Sequence, residues 1–366
     1  MTFPPRRRFI QAAGALLAGA GLPLASAQAE RRFTPTPGRW RRFEVTTRIE
    51  LLDAQGASQV WLPVPSLDTG YQRSLASRWT GNAGVARIVS DQKYGAKMLH
   101  AQFVAGTASP MIELVSTVQT QDRATDWNRA VPGADDAASL RAWTTATELI
   151  PIDGIVRETA IEVARGAISD VDKVQRIYEW VVNTTYREPL VRGCGVGDVK
   201  SMLETGNFGG KCGDINALFV GLCRSVGVPA RDVYGLRLAP SAFGYRELSG
   251  NPAKLQGAQH CRAEVYLKQH GWVAMDPADV GKVMRLETGT WIKDTRHPVV
   301  APVMEALFGG WEGNWLGYNM AHDVALPGSD GPVLGFLMYP QAENAKGRYD
   351  PLEPDRFRYT ITAREV

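Results

Sequence analysis

NFGGKCGDINALFVGLCRSVGVPARDVYG, residues 207–235, places a cysteine one residue after two glycines and directly before an apolar helical pattern. Ile215, Leu218, Phe219, Leu222 and Val226 recur at helical spacing to make one apolar face, and Gly227 with Pro229 stops the helix. Cys212 therefore stands at a helix start. There a thiol meets unpaired backbone N–H groups and the positive end of the helix dipole, which together favour thiolate. Gly209 and Gly210 remove side-chain bulk beside the sulfur, so a carbonyl can approach with the Cys212 N–H available to its developing oxyanion. An ordinary loop followed by a buried packing cysteine would read the same way, so the case for chemistry needs a base elsewhere.

The chain offers His100, His260, His270, His297 and His322. His260 opens HCRAEVYL (260–267), where Cys261, Ala263, Val265 and Leu267 alternate with His260, Arg262, Glu264 and Tyr266 as in a strand with one core face and one polar face. His260 falls on the polar face; Cys261 falls on the apolar face and reads as structural. His270 lies in the turn KQHG and His297 precedes Pro298, both positions typical of exposed loops, while His100 and His322 lie outside the middle region. The next strand, GWVAMDPADV (271–280), brings Asp276 just before Pro277. A carboxylate there would hold the imidazole in its useful tautomer and stabilise the charged ring, although a turn residue before proline is the plainer role and Asp279 competes for it.

Register separates these possibilities. A two-residue turn at Gln269-His270 throws Asp276 onto the face opposite His260. An odd-length loop centred on Gln269 instead pairs Arg262 with Asp276 and makes His260 a diagonal neighbour, at roughly 7 to 8 Å between backbones. An odd-length or bulged hairpin at 267–271 is therefore expected.

GGKCGDINALFVGLCRSVGVPAR, HCRAEVYL and GWVAMDPAD, in that order, resemble the three signature blocks of the transglutaminase-like superfamily. The resemblance covers roughly residues 138–283 and implies a papain-like α+β core, with the thiol before a helix and the histidine and aspartate on successive antiparallel strands. It implies Cys212 as nucleophile, His260 as general base and acid, and Asp276 as the group that orients it. No side-chain oxyanion donor stands out. The superfamily spans transglutaminases, peptidases, glycan-removing amidases and inactive members, so the fold by itself does not choose among them. Thiol-dependent acyl transfer on peptide or protein amides is expected, with hydrolysis favoured over crosslinking because water needs no dedicated second pocket; a protein transglutaminase and a non-catalytic binding protein are the alternatives.

The remainder of the chain sets the context. Its 366 residues, 44% hydrophobic and 22% charged, suit a globular protein of two or three domains. Residues 1–29 carry Arg6-Arg7-Arg8, an apolar run from Ala12 to Leu24 and small-residue cleavage sites, the pattern of a cleavable export signal of twin-arginine or ordinary secretory type. The run is shorter than the roughly 20 residues that span a bilayer, so no membrane span is expected in the mature chain and the expected location is periplasmic or secreted. Removing the three leader arginines takes the 41 basic residues to 38, equal to the 38 acidic ones. No basic run remains to mark a nucleic-acid partner; the expected partner is a peptide or protein substrate of the cell envelope.

Cys194, Cys212, Cys223 and Cys261 include no CxxC pair, so a zinc site has little spacing support; no cofactor or metal-ligating residue is assigned, and a metal requirement and pairing of Cys194 with Cys261 stay open. Cys212 and Cys223 lie about 16 Å apart along a continuous helix, too far for a disulfide. Strand-like runs at 41–52, 58–65 and 111–120 give an N-terminal all-β domain (30–130), separated by the Ala/Asp-rich stretch 131–139 from the core (138–290). A strand-rich extension (291–366) follows, whose strands are expected to pack on one of the earlier sheets. Within the core, ISDVDKVQRIYEWVVNTTYR reads as a packed helix capped by Ser169 and Asp172, with Trp180 and Tyr186 as packing aromatics.

Overall fold

Alternation of apolar residues along Arg41–Leu51 turns Phe43, Val45, Ile49 and Leu51 inward, and the strand pairs along both edges. The computed structural model describes residues 31–366 apart from positions 53, 55, 132 and 134. The expected export signal, residues 1–29, lies outside the described residues. In the first sheet the strand order is Phe357–Glu365, Arg41–Leu51, Met111–Thr120, Gln72–Gly81; in the second it is Gly347–Arg348, Gln341–Asn344, Ser58–Pro63, Lys97–Phe103, Val85–Ser90. Ile49, Leu62, Leu99, Phe103, Leu114 and Phe357 from the two sheets share one core, which makes the pair a sandwich.

The chain's last strand thus pairs with its first, Leu51 opposite Phe357 and Phe43 opposite Glu365. The tail does not choose a single earlier sheet. Its strands at 341–344 and 357–365 complete the two sandwich sheets, and those at Phe308–Gly309 and Trp315–Asn319 form the two edges of a third.

That third sheet, antiparallel throughout, runs Phe308–Gly309, Gly271–Met275, Gln259–Leu267, Ala230–Arg237, Trp315–Asn319. The helix Cys212–Ser225 lies across it, and Asn216 Nδ2 donates to Cys261 O at 2.8 Å to fix their relative position. Helices Gly154–Val163, Asp170–Thr184 and Pro277–Leu286 contribute to the same core. Ser169 caps the second of these by accepting from Asp172 N. Trp180 packs edge-on against Phe208 and Tyr186 leans on Trp291, so both are packing residues as expected. Phe43, Val45 and Ile361 meet Leu236, Leu316 and Tyr318, joining sandwich and third sheet in one α+β unit from Arg31 to Val366. No described helix is long and apolar enough to cross a membrane.

Candidate active site

Cys212 is the first residue of its helix, and the helix start is built by Asp214. Its Oδ2 accepts from Lys211 N at 2.9 Å, while Oδ1 accepts from Val196 N and Gly197 N, each at 2.9 Å. Gly213 N donates to Cys194 O at 2.8 Å. These bonds clamp the 194–197 loop onto the first helical turn and consume the neighbouring N–H groups, leaving that of Cys212 for an incoming oxygen.

Two details differ from the sequence-based expectation. The helix has no solvent face: all 14 residues are buried, and the polar ones are tied down, Arg224 by donating to Ala230 O at 2.7 Å and Thr145 O at 3.2 Å. The glycine pair serves packing rather than substrate approach. A Cβ on Gly209 would lie 2.7 Å from the Tyr186 ring, and one on Gly210 would lie 2.7 Å from Asp214 Cβ.

The hairpin has the expected odd length. Leu267 pairs with Gly271 across the three residues Lys268, Gln269 and His270, and Ala263 pairs with Met275, so Arg262 and Asp276 are next in register. Gly271 adopts φ +65°, a left-handed conformation that closes such a loop at little cost only for glycine. Asp276 is thereby delivered to His260, whose Nε2 lies 2.8 Å from Asp276 Oδ2 and 3.3 Å from Asp279 Oδ2. Nδ1 is the ring nitrogen left for the Cys212 sulfur. Asp276 also plays its plainer role, capping helix Pro277–Leu286 by accepting from Asp279 N at 3.0 Å. The remaining histidines have other partners: His100 stacks on Trp61, His270 meets Trp127, His297 Nδ1 accepts from Val299 N, and His322 lies against Tyr234.

The polar face of the His260 strand is buried, contrary to the usual solvated outer face. Arg262 sits over the rings of Trp311 and Trp315, at 5.1 and 4.7 Å from their centroids. Glu264 pairs with Arg231 at 2.6 Å and with Arg123. Trp315 Nε1 donates to His260 O at 2.8 Å, and a Cβ on Gly235 would come within 2.3 Å of that indole, so the glycine is required for the tryptophan to reach the histidine strand.

The electrostatics follow from these contacts. Polar contact with the Cys194 and Cys261 side chains lowers the Cys212 thiol well below its ordinary range, although the Cys194 thiol also has Gln259 O as an acceptor at 3.3 Å; burial opposes the shift, and His260 adds to it. Cys194, through its contact with Cys212, and Cys261, mainly through burial, are pushed up and favour the protonated thiol. Although burial disfavours its charged ring, His260 is pushed up to about 10 by the Asp279 and Asp276 carboxylates. Both shifts favour a thiolate beside an imidazolium over a neutral pair. Cys194→Ala should remove the first of these contacts and move the midpoint of Cys212 alkylation by iodoacetamide to higher pH; an unmoved midpoint would show that the contact is immaterial. All four cysteines are free, and the helix between Cys212 and Cys223 is continuous, so those two cannot bond.

His260, Asp276 and Asp279 present ligand atoms within 4.8 Å of one another, a spacing that suits a metal ion. The carboxylates are committed elsewhere. Asp279 receives Arg237 Nη2 at 2.9 and 2.7 Å, and Asp276 lies 3.4 Å from Arg262 Nε, so two guanidinium groups already supply the positive charge.

A family model of the transglutaminase-like superfamily matches residues 157–277. An uncharacterized protein of Haemophilus influenzae is 34% identical over 343 residues, covering 88% of this chain and 91% of its own length. The chain belongs to the transglutaminase-like superfamily. That superfamily includes cysteine proteases and transglutaminases. A solved structure from Cytophaga hutchinsonii, described as a candidate cysteine protease, shares the transglutaminase-like fold at a TM-score of 0.50 and 16% identity, over 89% of this chain and 99% of the other. The periplasmic domain of TgpA from Pseudomonas aeruginosa aligns at a TM-score of 0.36 and 14% identity, over 73% and 93% of the two chains.

Proposed function

We propose that this protein is a thiol-dependent acyl-transfer enzyme of the bacterial envelope that acts on peptide or protein amides, with Cys212 as nucleophile, His260 as acid and base, and Asp276 as the residue that orients the imidazole. The observation that carries this is the 2.8 Å contact of His260 Nε2 with Asp276 on the adjoining strand, which turns the other ring nitrogen to a thiol at a helix start. The Cys212 thiolate adds to the amide carbonyl, and the Cys212 N–H receives the oxyanion. His260 gives its proton to the leaving amine as the C–N bond breaks, leaving a thioester. Water, deprotonated by His260, then releases the acid. Hydrolysis is the favoured outcome because water needs no second binding pocket. The export signal motif at residues 6–29 supports the envelope location.

Wild-type and Cys212→Ala protein incubated with envelope peptides and a labelled amine, followed by mass spectrometry, test the proposal. Cleavage identifies a hydrolase and amine incorporation a transglutaminase; no Cys212-dependent product would refute acyl transfer. The pH profile of kcat/KM supplies a second check. Its acid limb should fall well below the free-thiol value of about 8.5, because protonating the thiolate removes the nucleophile. Its basic limb should fall at about 10, where His260 loses the proton it must donate. An optimum confined above pH 8 would contradict the ion pair.

A further inference from the structure

A cavity of about 330 Å³ opens onto Cys212 and His260, and its charge is one-sided. Arg187, Arg237, Lys254 and Lys282 line it, with no carboxylate among the lining residues. Two of these cations are already occupied. Arg237 Nη2 donates to both carboxylate oxygens of Asp279, and Lys282 Nζ donates to Glu247 O at 2.6 Å and lies 3.6 Å from Glu247 Oε2. Arg187 and Lys254 have no acidic partner among the described residues, and Arg187 Nε is buried without any hydrogen bond. The first is held in place by the fold: Arg187 pairs in register with Gly210, two residues before Cys212. Since Cys212 and His260 neutralise each other, as do Arg237 and Asp279, the unpaired charge of the chamber is positive. A buried guanidinium edge without an acceptor carries a desolvation cost that a bound oxyanion would relieve.

We propose that this chamber takes a carboxylate, and that the substrate is a peptide whose scissile amide is flanked by a carboxylate held by Arg187 and Lys254. This rests on the acyl-transfer function of Cys212. The volume suits one residue, and a planar guanidinium matches a carboxylate in two parallel hydrogen bonds. The carboxylate belongs either to an acidic side chain or to the free C-terminus of the leaving group, two forms of the same recognition chemistry.

The test uses two alkylating agents of similar size, anionic iodoacetate and neutral iodoacetamide, on the full chain. Both consume the same thiolate, so their rate ratio at Cys212 cancels changes in its protonation. The iodoacetate-to-iodoacetamide ratio should exceed that of free cysteine by about tenfold, fall by about tenfold in Arg187→Met, persist in Arg187→Lys, and fall in Lys254→Met, where an exposed side chain makes a folding defect no explanation. A wild-type ratio equal to that of free cysteine, or one unchanged by removing either cation, would overturn the carboxylate site while leaving acyl transfer intact. A Cys212 that titrates like a free thiol towards iodoacetamide would defeat the acyl-transfer function, and this inference with it. Peptides in which the side-chain or the C-terminal carboxylate is amidated in turn identify the recognised group. One of the two amidations should lower kcat/KM about tenfold or more, and if neither does, carboxylate recognition is disproved.

Discussion

Cys212→Ala should abolish turnover by a factor of about 10⁴ or more, because the one atom that forms the covalent intermediate is gone while binding remains. The fold should survive, since alanine is the strongest helix former and the site of substitution is the first residue of a helix whose start is held by Asp214 rather than by the thiol. An unchanged thermal midpoint with lost activity is the expected pair of readings. A Cys212→Ala protein that retained a tenth of the wild-type rate would remove the nucleophile from the mechanism.

Asp279→Ala should be the most destabilising single substitution near the site. Arg237 and Asp279 are 3% and 1% exposed, so deleting the carboxylate strands a guanidinium in the interior, at a cost of about 3–5 kcal/mol. The same change withdraws one of the two carboxylates that raise His260, so the basic limb of the pH profile should move down from about 10. Denaturant unfolding and the pH profile read these two effects separately. A loss under about 1 kcal/mol would show that water reaches Arg237. Asp276 remains to orient the ring, so activity should be lowered but not abolished in the folded fraction.

The local parts of the site were legible because each rests on short-range pattern. Helical spacing after Cys212, strand alternation after His260 and an odd hairpin centred on Gln269 are properties of neighbours in the chain, and all three are present. What the sequence concealed depends on partners far along it. Cys194 stands in a loop, where no helix or strand period links it to Cys212, and the Asp214 clamp and the Gly213–Cys194 bond bring the two together. An acidic residue at the third helical position was the available signal. Arg262 and Glu264 alternate as a solvated face would, yet Trp311, Trp315, Arg123 and Arg231 cover and neutralise them. The two glycines before Cys212 signal close approach, but their letters do not say whether Tyr186, Asp214 or a ligand approaches.

The pairing of Leu51 with Phe357, together with the reach of Trp315 to His260 O, also sets an order of assembly. Contacts of such sequence separation are slow to form, and none can form before the C-terminal segment has been synthesised. A growing chain therefore carries Cys212 beside a sheet that still lacks both of its edge strands and the Trp315 hydrogen bond to His260 O. The surroundings of Cys212 are thus completed late, once strands about a hundred residues further along the chain have joined its sheet.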